Sequence, residues 1–296
     1  MSISRLAVLG GGQMGAGIAE VAASHGLDVI LIKATPGKAD AAKSSIEKNL
    51  GRQVERGKLE AKAAKEIVAR ISFTDDIHAA ADADLLIESI VEDLETKRAR
   101  FAEADKILKP EAILASNTST LSITAMQEAT RRKDRFVGLH FFNPATVMKL
   151  VEVIPTESTD AAVAAVAVAF VEKLGKTPVL VKDSTGFIVN RLLTPYMCDA
   201  IRCVEAGLAD IVGIDTAMHL GANHPMGPLA LADYIGLDIV HAMATNLYES
   251  FGSDYMAPPS LLQHLVAEGV LGRKTKLGFY DYSHRPPAPN PALGKK

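Results

Sequence analysis

Ser4-Arg5-Leu6-Ala7-Val8-Leu9, followed at once by Gly10-Gly11-Gly12-Gln13-Met14-Gly15-Ala16-Gly17, decides the fold. The first six residues read as a buried strand, the glycines open a helix that runs on from Ile18 to Ser24, and Asp28-Val29-Ile30-Leu31-Ile32 reads as a second strand. Gly10, Gly12 and Gly15 therefore occupy a G-x-G-x-x-G fingerprint in the strand-turn-helix setting that gives it meaning. The first glycine permits the tight turn, the second lets the backbone approach a pyrophosphate, and the third lets the helix pack on the strand. Phosphate charge then rests on the helix N-terminus, beside Gln13 and Met14. A nicotinamide dinucleotide is the implied cofactor.

An acid is expected about 20 residues on, bonding the adenosine ribose. Lys33 stands there instead. An ammonium cannot accept from a 2′-hydroxyl but attracts a 2′-phosphate, so Lys33, with Lys38 as a second candidate, admits NADP. The competing interpretation is a solvated loop lysine, with NAD held through its pyrophosphate and nicotinamide, and NAD is the favoured dinucleotide. Residues 38–56 and 59–70 carry apolar positions at helical spacing and form an inserted helical pair joined at Gly57-Lys58. Strands resume at Arg70-Ile71-Ser72-Phe73, Asp84-Leu85-Leu86-Ile87-Glu88 and Ala112-Ile113-Leu114-Ala115-Ser116, alternating with helices. That alternation predicts an α/β fold with a Rossmann-type, doubly wound, mostly parallel sheet. Ligands sit outside the carboxyl ends of such strands, which places Glu92 and the run Ser116-Asn117-Thr118-Ser119-Thr120 near nicotinamide or substrate. Helix capping accounts equally well for the hydroxyl run, and first-turn or surface charge for Glu92 and Lys97.

Gly138-Leu139-His140-Phe141-Phe142-Asn143-Pro144 and Lys149-Leu150-Val151-Glu152-Val153-Ile154 flank a short loop. Antiparallel pairing centred near Thr146 sets His140 opposite Glu152. A carboxylate on one ring nitrogen fixes the tautomer and leaves the other nitrogen to take a proton. A histidine satisfied by a chance neighbour in an ordinary sheet is the bland alternative.

After Glu152 follow an alanine-rich helix, one more strand (177–181) and a break at Lys182-Asp183-Ser184-Thr185-Gly186, beyond which the pattern is helical and strongly apolar. The expected organisation is a dinucleotide-binding domain over 1–183, a helical substrate and dimerisation domain over 184–284, and a disordered Pro-rich tail over 285–296. Helices apolar on several sides point to a homodimer through the second domain. Asn190, in the first of those helices, needs a polar partner and is expected to face the cleft. A chain of 296 residues with 48% hydrophobic content can bury a substantial core, and a net charge of -3 supplies no basic stripe for nucleic acid. Cys198 and Cys203 read as reduced thiols, the eight histidines form no metal-ligand spacing, and no metal is expected. With no apolar run of membrane-spanning length and a strand pattern directly after Met1, a soluble cytoplasmic protein without membrane partners is expected.

These motifs together resemble the L-3-hydroxyacyl-CoA dehydrogenases, in particular the short 3-hydroxybutyryl-CoA dehydrogenase type. The resemblance runs from Gly10 to Tyr282 and rests on the glycine fingerprint, Glu88-Ser89-Ile90-Val91-Glu92, Ser116-Asn117-Thr118-Ser119, the His140 and Glu152 runs, Gly186-Phe187-Ile188-Val189-Asn190-Arg191, Pro225-Met226-Gly227-Pro228 and Gly278-Phe279-Tyr280. Lys33 departs from the family's usual acid, and Gly11 from a common alanine. The resemblance implies hydride transfer between a nicotinamide cofactor and an acyl-CoA substrate. It makes His140 the general acid/base, oriented by Glu152, with Ser119 on the C3 oxygen, Asn143 supporting histidine and substrate, and Asn190 over the substrate. It also sets Glu92 and Lys97 at the nicotinamide end and the helical pair against the coenzyme A part. A gulonate-type sugar-acid 3-dehydrogenase matches the hydroxyl and Phe-Phe-Asn motifs less well, a lysine-dependent β-hydroxyacid dehydrogenase lacks the His-Glu pair, and a non-catalytic dinucleotide-binding protein would not need the catalytic set.

Overall fold

In the computed structural model, residues 3–35 and 40–293 are described, so Lys38 lies outside them. The chain divides into two compact units, Met1–Ser184 and Thr185–Lys296.

The first unit is a sheet of eight strands: β1 Arg5–Leu9, β2 Asp28–Ile32, β3 Ile71–Thr74, β4 Leu85–Glu88, β5 Ile113–Ser116, β6 Phe136–Phe141, β7 Leu150–Pro155 and β8 Thr177–Leu180. Their order is β3-β2-β1-β4-β5-β6-β7-β8. All neighbours are parallel except β6 and β7, whose antiparallel hairpin reverses the last two strands. Central strands covered on both faces carry continuous apolar runs rather than alternation. Leu6, Ala7, Val8 and Leu9 of β1 are accordingly all buried, as are Leu85, Leu86 and Ile87 of β4. The chain crosses from β1 to β2 on one side and returns to β4 on the other, so the gap beyond the carboxyl ends of β1 and β4 is the switch point where this fold leaves a crevice.

Helices α1 Gln13–Ser24, α4 Leu94–Ile107, α5 Ile123–Gln127 and α6 Ala161–Lys173 connect the strands, with α2 Asp40–Glu55 and α3 Ala61–Ala69 as the insertion between β2 and β3. The inserted pair is anchored by Ala42, Ile46, Leu50 and Ile67, which join the core that α1 covers.

The second unit holds α7 Val189–Glu205, α8 Ile211–Thr216, α9 Pro228–Ile235, α10 Leu237–Phe251 and α11 Ser260–Ala267, packed on Met197, Ile201, Leu229, Val240, Leu262 and Phe279. Two buried acids organise its polar interior. Asp215 accepts from the Leu229 and Ala230 amides, capping α9, and from the Tyr280 hydroxyl. Asp233 accepts from the Phe279 and Tyr280 amides and the Tyr282 hydroxyl; burial pushes its carboxyl up to about 6. A methyl on Gly227 would stand 2.3 Å from Asp215 and one on Gly278 1.9 Å from Asp233, which explains the glycine in each motif.

The expected disordered tail is corrected over its described part. Strand β10, Ala288–Pro289, pairs with β9, Tyr280–Asp281, and buried Asn290 donates from its side chain to the Gly278 carbonyl at 2.7 Å and from its backbone to Phe279. A single buried amide pins a segment whose proline content alone suggests disorder. Among the described residues no helix is long and apolar enough to cross a membrane.

Candidate active site

The glycine loop fronts a cleft of about 910 Å³ at the switch point, lined also by Gln13, Met14, Lys33, Glu92, Asn117 and Ser119. Its three fingerprint glycines answer to different demands. A Cβ on Gly10 would stand 2.2 Å from the Ser89 carbonyl oxygen, and one on Gly15 1.9 Å from the Gly10 carbonyl oxygen, so close packing of strand and helix requires both. A Cβ on Gly12 meets nothing within 4 Å. The fold leaves that space open, as approach of a pyrophosphate requires. Gly12 caps α1 without a side-chain hydrogen bond, and the first turn holds no acid. Its N–H groups and helix dipole are thus available to an anion, and the cradle fits a dinucleotide.

Behind one wall of the cleft lies a carboxylate-ammonium-carboxylate chain. Glu88, the last residue of β4, is fully buried and accepts from Lys97 Nζ at 2.6 Å, Ser116 Oγ at 2.7 Å and the Ile90 amide at 2.7 Å. The Lys97 ammonium also reaches Glu92 at 3.2 Å. Glu92 gathers the hydroxyl run, accepting from Thr118 Oγ1 and from the amides of Ser119 at 2.9 Å and Thr120 at 3.2 Å. Burial raises its carboxyl, but the Lys97 charge and these hydrogen bonds outweigh burial and hold it below the usual carboxylate value. Lys97, expected at the cofactor, is 1% exposed and sits behind the wall. A lysine so buried persists because two acids compensate its charge.

The hairpin register is His140↔Glu152. His140 Nδ1 lies 2.7 Å from Glu152 Oε2, with the ring 5% and the glutamate 0% exposed. The carboxylate accepts the Nδ1 proton, which assigns proton exchange to Nε2. Three bonds around this pair tie its hairpin to the cleft. Gln13 Nε2 donates to Asn143 Oδ1 at 3.0 Å, and Asn117 Oδ1 accepts the Phe141 amide at 2.8 Å while its Nδ2 donates to Ser89 Oγ. The latter bonds lock together the ends of β4, β5 and β6.

Structure thus brings His140, Glu152, Asn143, Gln13, Ser119 and Glu92 into one connected region of the first unit. Asn190 belongs to the second unit, as the second residue of α7. Asn117 was named from sequence only within the run Ser116–Thr120, with no role of its own, and Arg100 was not singled out. Asn117 carried a usable signal, as an amide directly after a buried strand, whereas Arg100, which reaches the cleft from the middle of α4, carried none.

A phosphate cradle at the switch point, linked through Gln13, Asn117 and Asn143 to a buried acid-base pair, defines a dinucleotide-dependent oxidoreductase. Residues 5–184 match the NAD binding domain of 3-hydroxyacyl-CoA dehydrogenase and residues 186–282 its C-terminal domain. The chain belongs to the 3-hydroxyacyl-CoA dehydrogenase family. A probable 3-hydroxybutyryl-CoA dehydrogenase of Deinococcus radiodurans is 46% identical over 94% of this chain and 100% of its own length. The mitochondrial hydroxyacyl-coenzyme A dehydrogenase of Homo sapiens is 46% identical over 95% of this chain and 91% of its own. Among solved structures, (S)-3-hydroxybutyryl-CoA dehydrogenase PaaH1 from Ralstonia eutropha superposes with a TM-score of 0.92 at 39% identity, covering 96% of this chain and all of that one.

Proposed function

We propose that this chain interconverts (S)-3-hydroxybutyryl-CoA and acetoacetyl-CoA, or close acyl homologues, with His140 as the general acid/base. The observation that carries the proposal is the buried His140–Glu152 bond, tied to a cleft with an open phosphate cradle. Gly10, Gly12, Gln13, Met14 and Gly15 would hold the dinucleotide, with Glu92 and Ser119 near its reactive end, Lys33 at its adenosine end and Asn143 alongside. The nicotinamide, when bound, supplies the hydride acceptor for oxidation and the donor for reduction. In the oxidative direction His140 Nε2 takes the C3 hydroxyl proton, and Glu152 offsets the positive charge that then forms on the ring. Ser119 donates a hydrogen bond to the C3 oxygen, Asn143 supports the ring and Asn190 covers the substrate. In reduction His140 returns the proton to the same oxygen. The groove between α2 and α3, about 400 Å³ and lined by Leu50, Val54, Ala64 and Val68, is assigned to the coenzyme A part. NAD fits the family's cofactor domain and NADP fits Lys33. The exposed Leu192, Leu208 and Leu220 of the second unit support a homodimer, and the cytoplasm is the assigned compartment.

The test is oxidation of NADH and of NADPH, supplied separately, by acetoacetyl-CoA, followed as loss of reduced-nicotinamide absorbance. Turnover with either supports the proposal, and its absence with both rejects it.

A further inference from the structure

We infer that Lys176 is a positioning residue for the acid-base pair: its buried ammonium fixes the turn between the His140 and Glu152 strands and, through that turn, the place of Asn143. This role rests on the reaction proposed above and adds to it a residue that touches neither substrate nor cofactor.

Lys176 stands between α6 and β8, just before Thr177 opens the strand that pairs with β7. A lysine at such a place ordinarily carries its charge out to water. This one is 8% exposed and turns inward. Its Nζ donates to the Ala145 carbonyl at 2.6 Å and to the Met148 carbonyl at 2.6 Å. Neither carbonyl takes a backbone amide among the described residues, so loss of the ammonium leaves the Ala145 oxygen buried without a donor. Burial, and then the charge of Lys149, pull the ammonium below its ordinary value. Carbonyl oxygens rather than a carboxylate hold it, and the turn is therefore what offsets the cost of burying that charge.

The turn has few other anchors. The Pro144 carbonyl accepts the Val147 and Met148 amides, and from Asn143 to Lys149 only Ala145 is buried. Ala145 rests on α1, where a Cβ on Gly17 would stand 3.1 Å from its methyl. Lys176 thus clamps to the sheet a turn that also lies against the helix of the phosphate cradle. Asn143, two residues before Ala145, receives Gln13 Nε2 from the first turn of that same helix at 3.0 Å. The Asn143 side chain is exposed, so its place is set by the backbone on either side, which is the end of β6 at Phe141 and the turn that Lys176 holds. A displacement of about 1 Å in a group that supports the reacting atoms can slow a reaction by about 100-fold.

The experiment is a double-mutant cycle on the full chain between Lys176→Met, which keeps the length of the side chain and removes its donors, and Asn143→Ala. It is read as kcat and KM for acetoacetyl-CoA at saturating reduced dinucleotide. Lys176→Met should lower kcat by about tenfold or more while KM stays within about threefold. Lys176→Arg, which brings donors back to both carbonyls, should restore most of that loss. In the Asn143→Ala background Lys176→Met should cost less than about twofold, because the two side chains act as one unit. A parental kcat per folded molecule in Lys176→Met, a folded Arg variant equally slow, or losses that multiply in the double variant overturn the inference and leave the reaction standing. If Lys176→Met does not fold, Lys176→Gln, whose neutral amide serves the carbonyls less well, takes its place in the same cycle. Absence of turnover in the parent instead rejects the reaction, and deuterium exchange at the Val147 and Met148 amides still decides the clamp. Exchange there should quicken by about tenfold or more in the variant, and unchanged exchange overturns the inference.

Discussion

Glu20 on α1 is 2% exposed in the interface with α2, where Asn49 Nδ2 and Gln53 Nε2 each approach its carboxyl at 3.3 Å. Burial raises the carboxyl from 4.5 to about 7, against a smaller opposing pull from the Asn49 hydrogen bond. A group whose folded value lies above its unfolded one contributes stability that is complete below the unfolded value, here near 4.5, and lost as pH climbs through about 7. Each unit is worth about 1.4 kcal/mol, so full ionisation costs the fold about 3 kcal/mol. Glu20→Gln keeps the shape and cannot ionise, and a flip of either neighbouring amide restores the hydrogen bonding. Its stability advantage over the parent should therefore be near zero at pH 4, just under about 1 kcal/mol at pH 5 and about 3 kcal/mol by pH 8.5. Denaturant unfolding followed by far-ultraviolet circular dichroism at a series of pH values measures this difference, from which other carboxylates cancel. The chain has no tryptophan, and all six tyrosines, Tyr196 onward, lie in the second unit. Tyrosine fluorescence thus monitors that unit separately as a control. A difference that stays constant from pH 5 to 8.5 would refute the reasoning.

Three further perturbations separate fold from site. Gly12→Ala should leave unfolding midpoints within about 0.5 kcal/mol, since its φ of -73° suits alanine and a Cβ there meets nothing, yet weaken dinucleotide binding at least tenfold by fluorescence titration. Gly15→Ala should instead cost about 3 kcal/mol of stability in denaturant unfolding, because its Cβ falls on the Gly10 carbonyl. Lys97→Met strips Glu88 and Glu92 of their shared cation and should destabilise the fold by about 3–5 kcal/mol; unchanged thermal and denaturant midpoints would point instead to a direct cofactor contact.

Much of this architecture is local, and local pattern carries it. β1 and β2 are continuous apolar runs bounded by glycine or charge, and Asp28–Ile32 is found as expected from composition alone. The His140–Glu152 pairing was readable because a hairpin's register follows from where its loop is centred. Lys97 and Arg100 were not legible in the same way. Helical periodicity marks which face a charge occupies, not whether an acid at a strand end lies beneath it, and buried Glu88 is what draws Lys97 inward. The tail was opaque for a related reason, since Asn290 finds its partners at Gly278 and Phe279, in another turn of the chain.

The central claim is that His140, oriented by Glu152, is the proton partner of hydride transfer at C3. His140→Gln tests it when turnover of acetoacetyl-CoA and equilibrium binding of the reduced dinucleotide are measured on the same preparation. The account predicts turnover slowed by roughly 100-fold or more with binding within about twofold of the parent. Near-parental turnover in that variant would contradict it.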